Sequence, residues 1–370
     1  MKIICSKSNL LNGLSIVSKA VPGKTTMSIL ECILINASNG QIRLTANDME
    51  LGIETIIEGI IEVPGIIALD SRFLLDIVRN FTDDDVTIMT DGNFKTSITC
   101  GKAKFNNIVG RSGEDFAYLP VIERKDSIVL SQYMLKEVVR QTIFSISANE
   151  SNKLMTGELF EINGEELKVV SLDGHRISIR RIQMKNSYEP KKVVIPGKTL
   201  NEICKILSDD TEKDVSVFFA DKHVVFEFGN TVVVSRLIEG EYFRIDQMLS
   251  NDYETKIKVP KRELLSCISR ATLLVKEGEK KPIIINITDE GMELRIKSTL
   301  GSMNEQIDIE KVGKDLMIGF NPKFLIDALR VIDEDQVTIY LVNPKAPCFI
   351  RDEENSYIYL ILPVNFTSVD

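Results

Sequence analysis

The sequence predicts an α+β fold of three similar domains, each made of two units in which a strand leads into a helix and further strands follow. Two observations support this. A strand, a small or polar residue and an amphipathic helix recur six times along the 370 residues. The recurrences begin near residues 1, 65, 127, 191, 255 and 314, at spacings of 59 to 64 residues. Chance recurrence of a generic α+β pattern is the alternative, and the near-constant spacing disfavours it.

Each transition from strand to helix carries a helix start signal. The six segments are "MKIICSKSNLLNGLSIV", "GIIALDSRFLLDIVRNF", "DSIVLSQYMLKEVV", "KKVVIPGKTLNEICKIL", "TKIKVPKRELLSCI" and "KDLMIGFNPKFLIDALRVI". Ser, Asp, Pro or Asn stands where an N-cap or first helical residue belongs. We expect one buried stripe per helix, formed in the second helix by Phe73, Leu74, Ile77 and Val78, and in the sixth by Phe324, Leu325, Ala328 and Leu329.

The units alternate between two types. The first, third and fifth contain "ILINASNGQIRLTANDMELGIE", "LFEINGEELKVVSLDGHRISIR" and "IIINITDEGMELRIKSTLGSMNEQI", each a strand, a polar turn with Gly and a longer strand pair. The second, fourth and sixth resemble one another more closely. Taken in pairs, the units predict domains at 1–125, 126–252 and 253–370, with borders in the polar stretches "ERKDS" and "SNDYET".

The composition excludes several classes of protein. A hydrophobic fraction of 44% predicts a globular chain. No apolar run reaches the roughly 18 residues of a membrane helix, and the N-terminus has no long apolar segment typical of a signal peptide. Cys5, Cys32, Cys100, Cys204, Cys267 and Cys348 stand singly, without a CxxC pair. We therefore expect a cytoplasmic protein with reduced, mostly buried thiols and no zinc site.

Basic residues concentrate in the predicted helices. Segments 6–21, 71–81, 131–147, 197–208, 260–276 and 321–332 hold 14 Lys or Arg and five Asp or Glu, although the chain carries a net charge of −9. Seven residues separate Arg72 from Arg79, Lys198 from Lys205 and Lys323 from Arg330, and four separate Lys136 from Arg140. Each pair therefore shares a helix face. Two interpretations remain: ordinary solvated faces, or a basic surface that contacts DNA phosphates.

Motifs for catalysis are weak throughout. Two "GKT" triplets lack the earlier glycine of a phosphate-binding loop, since Ser18 and Lys192 occupy those positions. The run Asp83–Asp85 is interpreted as an acidic connecting turn, as are Asp209-Asp210 and Asp333–Asp335 at equivalent places, and His223 as an exposed or capping residue. No catalytic residue, metal or cofactor is predicted.

The segment "SLDGHRISIR", residues 171–180, is the strongest candidate for an enzyme site. Asp173, His175 and Arg176 could supply an orienting carboxylate, a base and an anion clamp. The pair Asp173-Gly174, however, is a two-residue hairpin signal between apolar strands. Asp173 is therefore predicted to be a turn residue, with His175 and Arg176 near the surface at the start of the return strand.

Four further segments carry a resemblance to a known family. They are "DGHRIS" at 173–178, "TANDMELGIE" at 45–54, "IGFNPKFLIDAL" at 318–329 and "YLILPV" at 359–364. Over nearly its whole length the chain resembles the β subunits of bacterial DNA polymerase III, the sliding clamps. The resemblance implies half of a closed ring, a head-to-tail homodimer with helices lining the hole and sheets outside.

The implied function is a non-catalytic processivity factor. The ring would encircle double-stranded DNA, slide without sequence specificity, and tether the catalytic subunit of the replicative polymerase, the clamp loader and other clamp-motif proteins of replication and repair. No cofactor and no membrane would be involved. A protein-binding repeat scaffold without DNA encirclement is the alternative, although such a scaffold would not need six basic helices.

The resemblance also implies site residues. An apolar peptide-binding pocket would contain Met155, Leu172, Gly174, His175, Arg176, Ile177, Phe243, Met248, Asn321, Phe324, Lys345, Leu360, Ile361, Leu362, Pro363 and Val364. DNA contacts would use Lys24, Arg72, Asn149 and Lys198, to which the charge pattern adds Arg79, Lys136, Arg140 and Lys205. The dimer contact would use Phe105 with Leu273 and Leu274 of the partner chain. Phe243, Gln247 and Asn365 depart from the Pro, Arg and Arg common in the family.

Overall fold

The computed structural model describes residues 1–82, 84–125, 127–276, 279 and 281–366. Within them lie six α-helices: α1 (Lys7–Val17), α2 (Ser71–Arg79), α3 (Gln132–Arg140), α4 (Gly197–Cys204), α5 (Lys261–Thr272) and α6 (Pro322–Val331). All six begin inside the predicted segments. No described helix is long and apolar enough to span a membrane.

The described residues also form 24 strands. Those before residue 200 are β1 (Lys2–Ser6), β2 (Cys32–Ser38), β3 (Gln41–Asn47), β4 (Leu51–Ile57), β5 (Ile60–Val63), β6 (Gly65–Asp70), β7 (Asp85–Thr90), β8 (Lys95–Cys100), β9 (Ala103–Val109), β10 (Ser127–Ser131), β11 (Gly157–Leu172) and β12 (Arg176–Pro196). The later ones are β13 (Asp214–Phe219), β14 (His223–Phe228), β15 (Thr231–Arg236), β16 (Thr255–Pro260), β17 (Ile283–Thr288), β18 (Gly291–Ser298), β19 (Gly301–Ile307), β20 (Glu310–Gly313), β21 (Leu316–Phe320), β22 (Gln336–Leu341), β23 (Cys348–Arg351) and β24 (Tyr357–Ile361).

The chain divides into two compact units. The first comprises Met1–Met134 and Lys198–Leu237, and the second comprises Leu135–Gly197 and Ile238–Asp370. Strands from the middle of the chain belong to both units because β13 to β15 extend a sheet of the N-terminal segment, whereas β11 and β12 extend a sheet of the C-terminal segment.

The first unit holds two antiparallel sheets. One has the order β10-β13-β14-β15-β4-β3-β2-β6 and the other β5-β1-β7-β8-β9. In the larger sheet, β15 pairs with β4 from Thr231↔Thr55 to Ser235↔Leu51. A buried hydrogen bond of 2.9 Å joins the Thr55 and Thr231 hydroxyls at this pairing, so the strands from two repeats form one continuous ladder.

The second unit is built in the same way. Its sheets have the orders β11-β12-β24-β23-β22-β16-β20 and β19-β18-β17-β21. Here β12 pairs with β24 from Arg176↔Ile361 to Arg180↔Tyr357. Helices α5 and α6 pack against each other, and their buried Leu264, Ile268, Leu325 and Leu329 enter one core cluster with the inner faces of the strands.

One link recurs at the helix that opens each predicted domain. The first helical N–H donates to a carbonyl in the turn after the second helix: Lys7 N to Asp84 O (2.5 Å), Gln132 N to Lys213 O (2.7 Å) and Lys261 N to Asp335 O (2.9 Å). The ammonium groups of Lys7 and Lys261 also donate to the carbonyls of Phe81 and Ile332. The acidic turns therefore have a structural role, although Asp83 lies outside the described residues. Lys7 and Lys261, both counted in the basic segments, therefore bind backbone carbonyls of their own chain.

The predicted buried stripes are mostly confirmed. In α2, Leu74, Ile77 and Val78 are at most 5% exposed, but Phe73 is 49% exposed, so its assignment to the core was wrong. Phe73 sits in the first turn of α2. In α6, Leu325, Ala328 and Leu329 are buried, whereas Phe324 is only partly buried.

The cysteines follow the prediction. Five of the six are buried and all six are free thiols. Burial raises the pKa of the Cys348 thiol to about 12, which keeps it protonated and unreactive at neutral pH.

Candidate functional site

The hairpin between β11 and β12 lies at the centre of the candidate site in the second unit. The Asp173 N–H donates to Arg176 O at 3.3 Å, and Asp173 Oδ1 accepts from the N–H groups of His175 (2.9 Å) and Arg176 (3.1 Å). Gly174 has a φ of +87°, which favours glycine at the first central position of a hairpin turn. The central pair is therefore Gly174-His175, one residue later than predicted.

Arg176 is buried, and the prediction that it lies near the surface was wrong. It is 7% exposed. Its Nε donates to Asp173 Oδ2 at 3.0 Å and its Nη1 to Asp327 Oδ2 at 2.8 Å. The guanidinium also lies 4.5 Å from the centre of the Phe324 ring and donates to the carbonyl of Phe144. Arg176 therefore ties the hairpin to α6 and to the segment after α3.

His175 remains at the surface. Its ring stacks on Phe324, with centroids 6.2 Å apart and planes inclined by 22°. Its carbonyl accepts from the N–H of Leu362 at 2.9 Å, and the Leu362 side chain is 37% exposed. An imidazole, an aromatic ring and an aliphatic side chain thus meet at one solvent-facing point.

The floor beside His175 is apolar. Leu172, Ile177 and Leu360 belong to one buried cluster, against which Met155 and Phe243 pack. The pairings Leu172↔Ile177 and Ile177↔Leu360 place the three aliphatic residues side by side across β11, β12 and β24. A cluster of this kind with exposed apolar neighbours is typical of a short-peptide site.

The remaining predicted pocket residues lie around this floor. Met248 is 49% exposed at the end of the short 3₁₀ turn Ile245–Met248. Asn321 caps α6 by accepting from the Lys323 N–H at 3.1 Å, Lys345 is exposed in the turn after β22, Ile361 is buried opposite Arg176, and Pro363 and Val364 are half-buried, with the Val364 N–H donating to Gly319 O. Ile361 therefore belongs to the core cluster with α5 and α6 and not to the apolar floor, and Asn321 has a capping role.

Sequence reasoning missed Asp327 and Phe144. Both hold the Arg176 guanidinium, although neither belongs to the hairpin. The only signal in the sequence was an acidic residue three positions after Phe324, which places Asp327 on nearly the same face of α6.

A buried carboxyl group lies on β11 at the start of the strand. Glu158 is 0% exposed, and neither carboxyl oxygen has a hydrogen-bond partner among the described residues. Burial raises the pKa of Glu158 well above its ordinary value, an effect that the nearby Thr142 opposes in part. The Thr142 hydroxyl itself donates to Val138 O at 2.8 Å. Glu158 is therefore held in the neutral form.

The basic helix surface is partly neutralised. Lys24, Arg72, Arg79, Asn149, Lys198 and Lys205 are exposed. Arg79 lies 3.5 Å from Asp76 and Lys205 lies 2.7 Å from Glu202, while Lys198 pairs with Asp48. Lys24 and Arg72 form no ion pair within the described part of the chain. These two cations can therefore bind an outside anion without first displacing a carboxylate of the described chain.

Arg140 differs from the other predicted DNA contacts. Its guanidinium binds Glu137 at 2.6 Å and Asp333 at 3.5 Å, and the hydrogen bonds that it donates to Glu137 raise the pKa of Arg140. Lys136, on the same face of α3, is half-buried. Arg140 therefore has a structural role within its unit.

The predicted dimer residues occupy two places. Phe105 is 40% exposed on β9, an edge strand, and its ring meets Phe81 edge-on at 5.9 Å. Leu273 is 78% exposed directly after α5, whereas Leu274 is partly buried against the core of the second unit. Leu273 and Phe105 are therefore the solvent-facing members.

The alternative of an enzyme site has no convergence of groups to support it. Asp173 is engaged by Arg176 and by the turn, and no cluster of three His, Cys, Asp or Glu that could hold a metal is found among the residues with described positions. His223 begins β14, away from this hairpin in sequence, and partial burial followed by the charges of Arg236 and Lys222 lowers its pKa.

Comparisons with known proteins cover the whole chain. The family models of the DNA polymerase III beta subunit match residues 1–120 (N-terminal domain), 129–243 (central domain) and 246–365 (C-terminal domain). The beta sliding clamp of Staphylococcus aureus is 34% identical over 375 residues, which cover 98% of this chain and 99% of that protein. The DNA polymerase sliding clamp of Bacillus subtilis superposes with a TM-score of 0.95 at 32% identity, and a Eubacterium rectale protein described as a DNA polymerase III beta subunit with 0.96 at 69%. Each solved structure covers 99% of this chain, which covers 100% of each.

Proposed function

The chain belongs to the family of DNA polymerase III β subunits, the β sliding clamps, and from this premise we propose that it closes as a homodimeric ring around double-stranded DNA. The ring has no catalytic activity of its own. It slides without sequence preference and raises the processivity of the replicative polymerase by tethering its catalytic subunit. The observation that carries the proposal is the match of all three clamp domains in order along residues 1–365.

Exposed cations on the helices, together with Lys24 in the segment that follows α1, supply the DNA contact. Lys24 and Arg72 are exposed, and Arg79, Lys198 and Lys205 are exposed with acidic neighbours that a phosphate can displace. Contacts between such side chains and the DNA backbone carry no sequence information, so the ring can move along the duplex. The helix segments hold more basic than acidic residues although the chain has a net charge of −9. The acidic excess therefore lies outside the helices, where it keeps DNA in the hole.

Free sheet edges supply the dimer contact. Within each unit, one repeat joins the next by an antiparallel strand pair, β4 with β15 and β12 with β24. The corresponding strands β19 and β9 end their sheets without such a partner in the described chain. We propose that β9 of one protomer pairs with β19 of the other, with Phe105 and Leu273 covering the junction. Two such contacts close a head-to-tail ring.

The apolar floor beside His175 receives the partners. A peptide that carries apolar side chains would cover Leu172, Ile177 and Leu360, with His175 at the polar edge. The clamp loader and other clamp-motif proteins of replication and repair would dock at the same place as the polymerase. Tethering at one site raises the effective concentration of each partner at the DNA without a tight DNA contact.

The proposal is tested by the topology of the DNA. Purified protein, loaded by the clamp loader onto nicked circular plasmid, is expected to stay bound through gel filtration and to leave the DNA after a restriction enzyme linearises it. Retention on a ring and loss from free ends is the mark of encirclement. Equal retention on both forms would exclude a sliding ring, and absence of retention on either would favour the protein-binding scaffold.

A further inference from the structure

A second cleft opens in the second unit, beside the apolar cluster that contains Leu172, Ile177 and Leu360. Its volume is about 390 Å³, which lies in the range of small-ligand sites. It is lined by Glu166, Arg181, Leu249, Asn251, Phe349 and Arg351, with Ser250, Glu354, Asn355 and Ile358 completing the wall. Nothing in the proposed clamp function uses this cleft.

Arg351 is unusual among the buried charges of this unit. It is 8% exposed, nearly the same as Arg176 at 7%. Arg176 is matched by two carboxylates, whereas Arg351 forms no ion pair within the residues whose positions are described. Its contacts are neutral: Nη1 donates to the Oδ1 atoms of Asn251 and Asn355. A buried cation without an anion is costly, and structures normally pair it.

Arg351 lines the cleft, and only one of its guanidinium nitrogens, Nη1, is engaged in the described chain. Nε and Nη2 of Arg351 have no hydrogen-bond partner among the described residues. Neither nitrogen is cut off from solvent, since the fully buried polar atoms without a partner belong there to Glu158 and Glu227. The Tyr340 ring, 4.5 Å from the guanidinium carbon, holds the group flat. Two adjacent N–H donors on a fixed plane match a carboxylate in bidentate geometry.

Apolar groups lie beside these donors. Phe349 and Ile358 are buried members of the same apolar cluster as Leu172, Ile177 and Leu360, and Leu249 packs against it. On the other side, Arg181 donates to the carbonyl of Asn355 at 2.9 Å and also forms no ion pair within the described chain. The cleft therefore combines an apolar floor with two arginines that form no ion pair within the described chain.

We propose that this cleft binds a carboxylate carried next to an apolar or aromatic group, as at the C-terminus of a peptide or in an acidic-aromatic dipeptide within one. The carboxylate accepts from Nε and Nη2 of Arg351, and the neighbouring side chain covers Phe349 and Ile358. Glu354 and Glu166 line the same cleft without an ion pair in the described residues, and they limit the ligand to one negative charge by repulsion.

Calorimetry on the full-length protein tests the site with defined probes. N-acetyl-L-phenylalanine as its carboxylate is expected to bind about tenfold more tightly than N-acetyl-L-phenylalaninamide, because a charge-assisted hydrogen bond to a desolvated partner contributes that factor or more. N-acetyl-L-glutamyl-L-phenylalaninamide carries its only carboxylate on a side chain. Tighter binding of this probe than of the first identifies an internal acidic residue as the natural source, and the reverse identifies a C-terminus.

Three variants separate recognition from folding. Arg351→Gln should abolish the preference for the carboxylate, and Arg181→Gln should weaken it severalfold. Glu354→Gln should strengthen carboxylate binding, which no folding defect would do. Arg244→Gln, at an arginine whose side chain is 76% exposed, is the control and should change nothing.

Equal affinity of wild-type protein for the carboxylate and the amide would overturn the proposal, as would an Arg351→Gln variant that keeps the preference. These measurements need neither DNA nor a closed ring, so a negative result leaves the clamp function untouched.

Discussion

The buried charged side chains of the second unit differ in the partners that compensate them. Arg176 is balanced by Asp173 and Asp327. Lys168, 8% exposed, lies 3.2 Å from both Glu161 and Asp246. Glu158 has neither a cation nor a hydrogen bond among the described residues. Removing one partner of a buried ion pair is strongly destabilising, whereas an unpaired buried carboxyl costs stability whenever it ionises.

His175 and Arg176 should therefore respond differently to truncation. His175→Ala removes an exposed ring and is expected to change the free energy of unfolding by less than about 0.5 kcal/mol. It should weaken binding of a clamp-motif peptide about tenfold, since the ring forms the polar edge of the floor. Arg176→Ala leaves two half-buried carboxylates without their cation and should cost about 3–5 kcal/mol. Urea denaturation and peptide fluorescence anisotropy measure the two effects. A stable Arg176→Ala protein would contradict this division of roles.

Glu158 predicts a pH dependence of stability. Its pKa in the folded state is raised, so the folded protein retains a proton that the unfolded chain loses above its ordinary pKa of about 4.5. The free energy of unfolding should then fall by about 1.4 kcal/mol per pH unit as the pH rises from there towards the folded pKa. Glu158→Gln, which mimics the neutral acid, should remove this loss and raise the melting temperature at pH 8.

Glu161 on the same strand is the matched control. Burial opposes its ionisation, but hydrogen bonds from Lys192 and Lys168 lower its pKa overall. Its contribution is present at neutral pH and is lost as the pH falls through the folded pKa. Glu161→Gln should therefore destabilise the protein at pH 8, the opposite sign. A destabilising Glu158→Gln at pH 8 would show that the carboxyl group is ionised and paired after all.

At the scale of elements, one turn recurs at equivalent places in the two units. Between β3 and β4, the Asp48 N–H donates to Leu51 O at 3.0 Å, and Asp48 Oδ1 accepts from the N–H groups of Glu50 (3.0 Å) and Leu51 (2.6 Å). The turn before β12 has the same three bonds. Each turn starts the strand that joins two repeats, β4 or β12. The aspartate therefore sets the register of the joining strand.

The two turns differ at the residue after the aspartate. Met49 has a φ of +77° and Gly174 one of +87°, a conformation that costs a side chain about 1–2 kcal/mol. Met49 is also 54% exposed and loses little packing when truncated. Met49→Gly should therefore stabilise the protein by about 1 kcal/mol in urea denaturation. Met27→Gly is the control: Met27 is similarly exposed but has a φ of −99°, and its change should be neutral or destabilising. Stabilisation by both would point to the unfolded chain as the cause.

At the scale of the whole molecule, the chain has the three-domain fold of β clamps. Strands of neighbouring repeats pair at two places within the chain, β4 with β15 and β12 with β24. The strands equivalent to these at the third place, β9 and β19, are not paired with each other in the described chain. A strand edge with free N–H and C=O groups either pairs or is protected by charge. The exposed Phe105 and Val109 on β9 provide no such protection, which favours pairing with a second chain.

Phe105→Lys should break the proposed dimer. The charge at the edge would be buried without a partner, so the mass from light scattering should fall from that of a dimer towards the 41.6 kDa of one chain. Retention on nicked circular DNA should fall with it. Met89→Lys is the control, because Met89 is 49% exposed on β7, a strand that is paired on both sides. A Phe105→Lys protein that remains dimeric would place the interface elsewhere.

The repeat, the six helices and the hairpin at residues 171–180 follow from the sequence alone. Spacing, helix caps and alternating apolar residues are local signals, and each domain repeats them. The free thiols and most of the buried stripes, such as Leu74, Ile77 and Val78, could be predicted for the same reason. The pocket residues came from resemblance to a family, since periodicity cannot say which strands meet.

The partners of the charged residues required the tertiary structure. The residues next to Arg176 and Arg351 in the sequence give no sign of how each guanidinium is paired. Arg176 is held by Asp327 from 151 residues away, whereas Arg351 has only neutral contacts. Lys7 was counted among the basic residues of the helix segments and Arg140 was predicted to contact DNA, yet both tie helices to distant turns. The energy of a charge depends on every group within a few ångströms, and those groups come from separate parts of the chain that only the fold brings together.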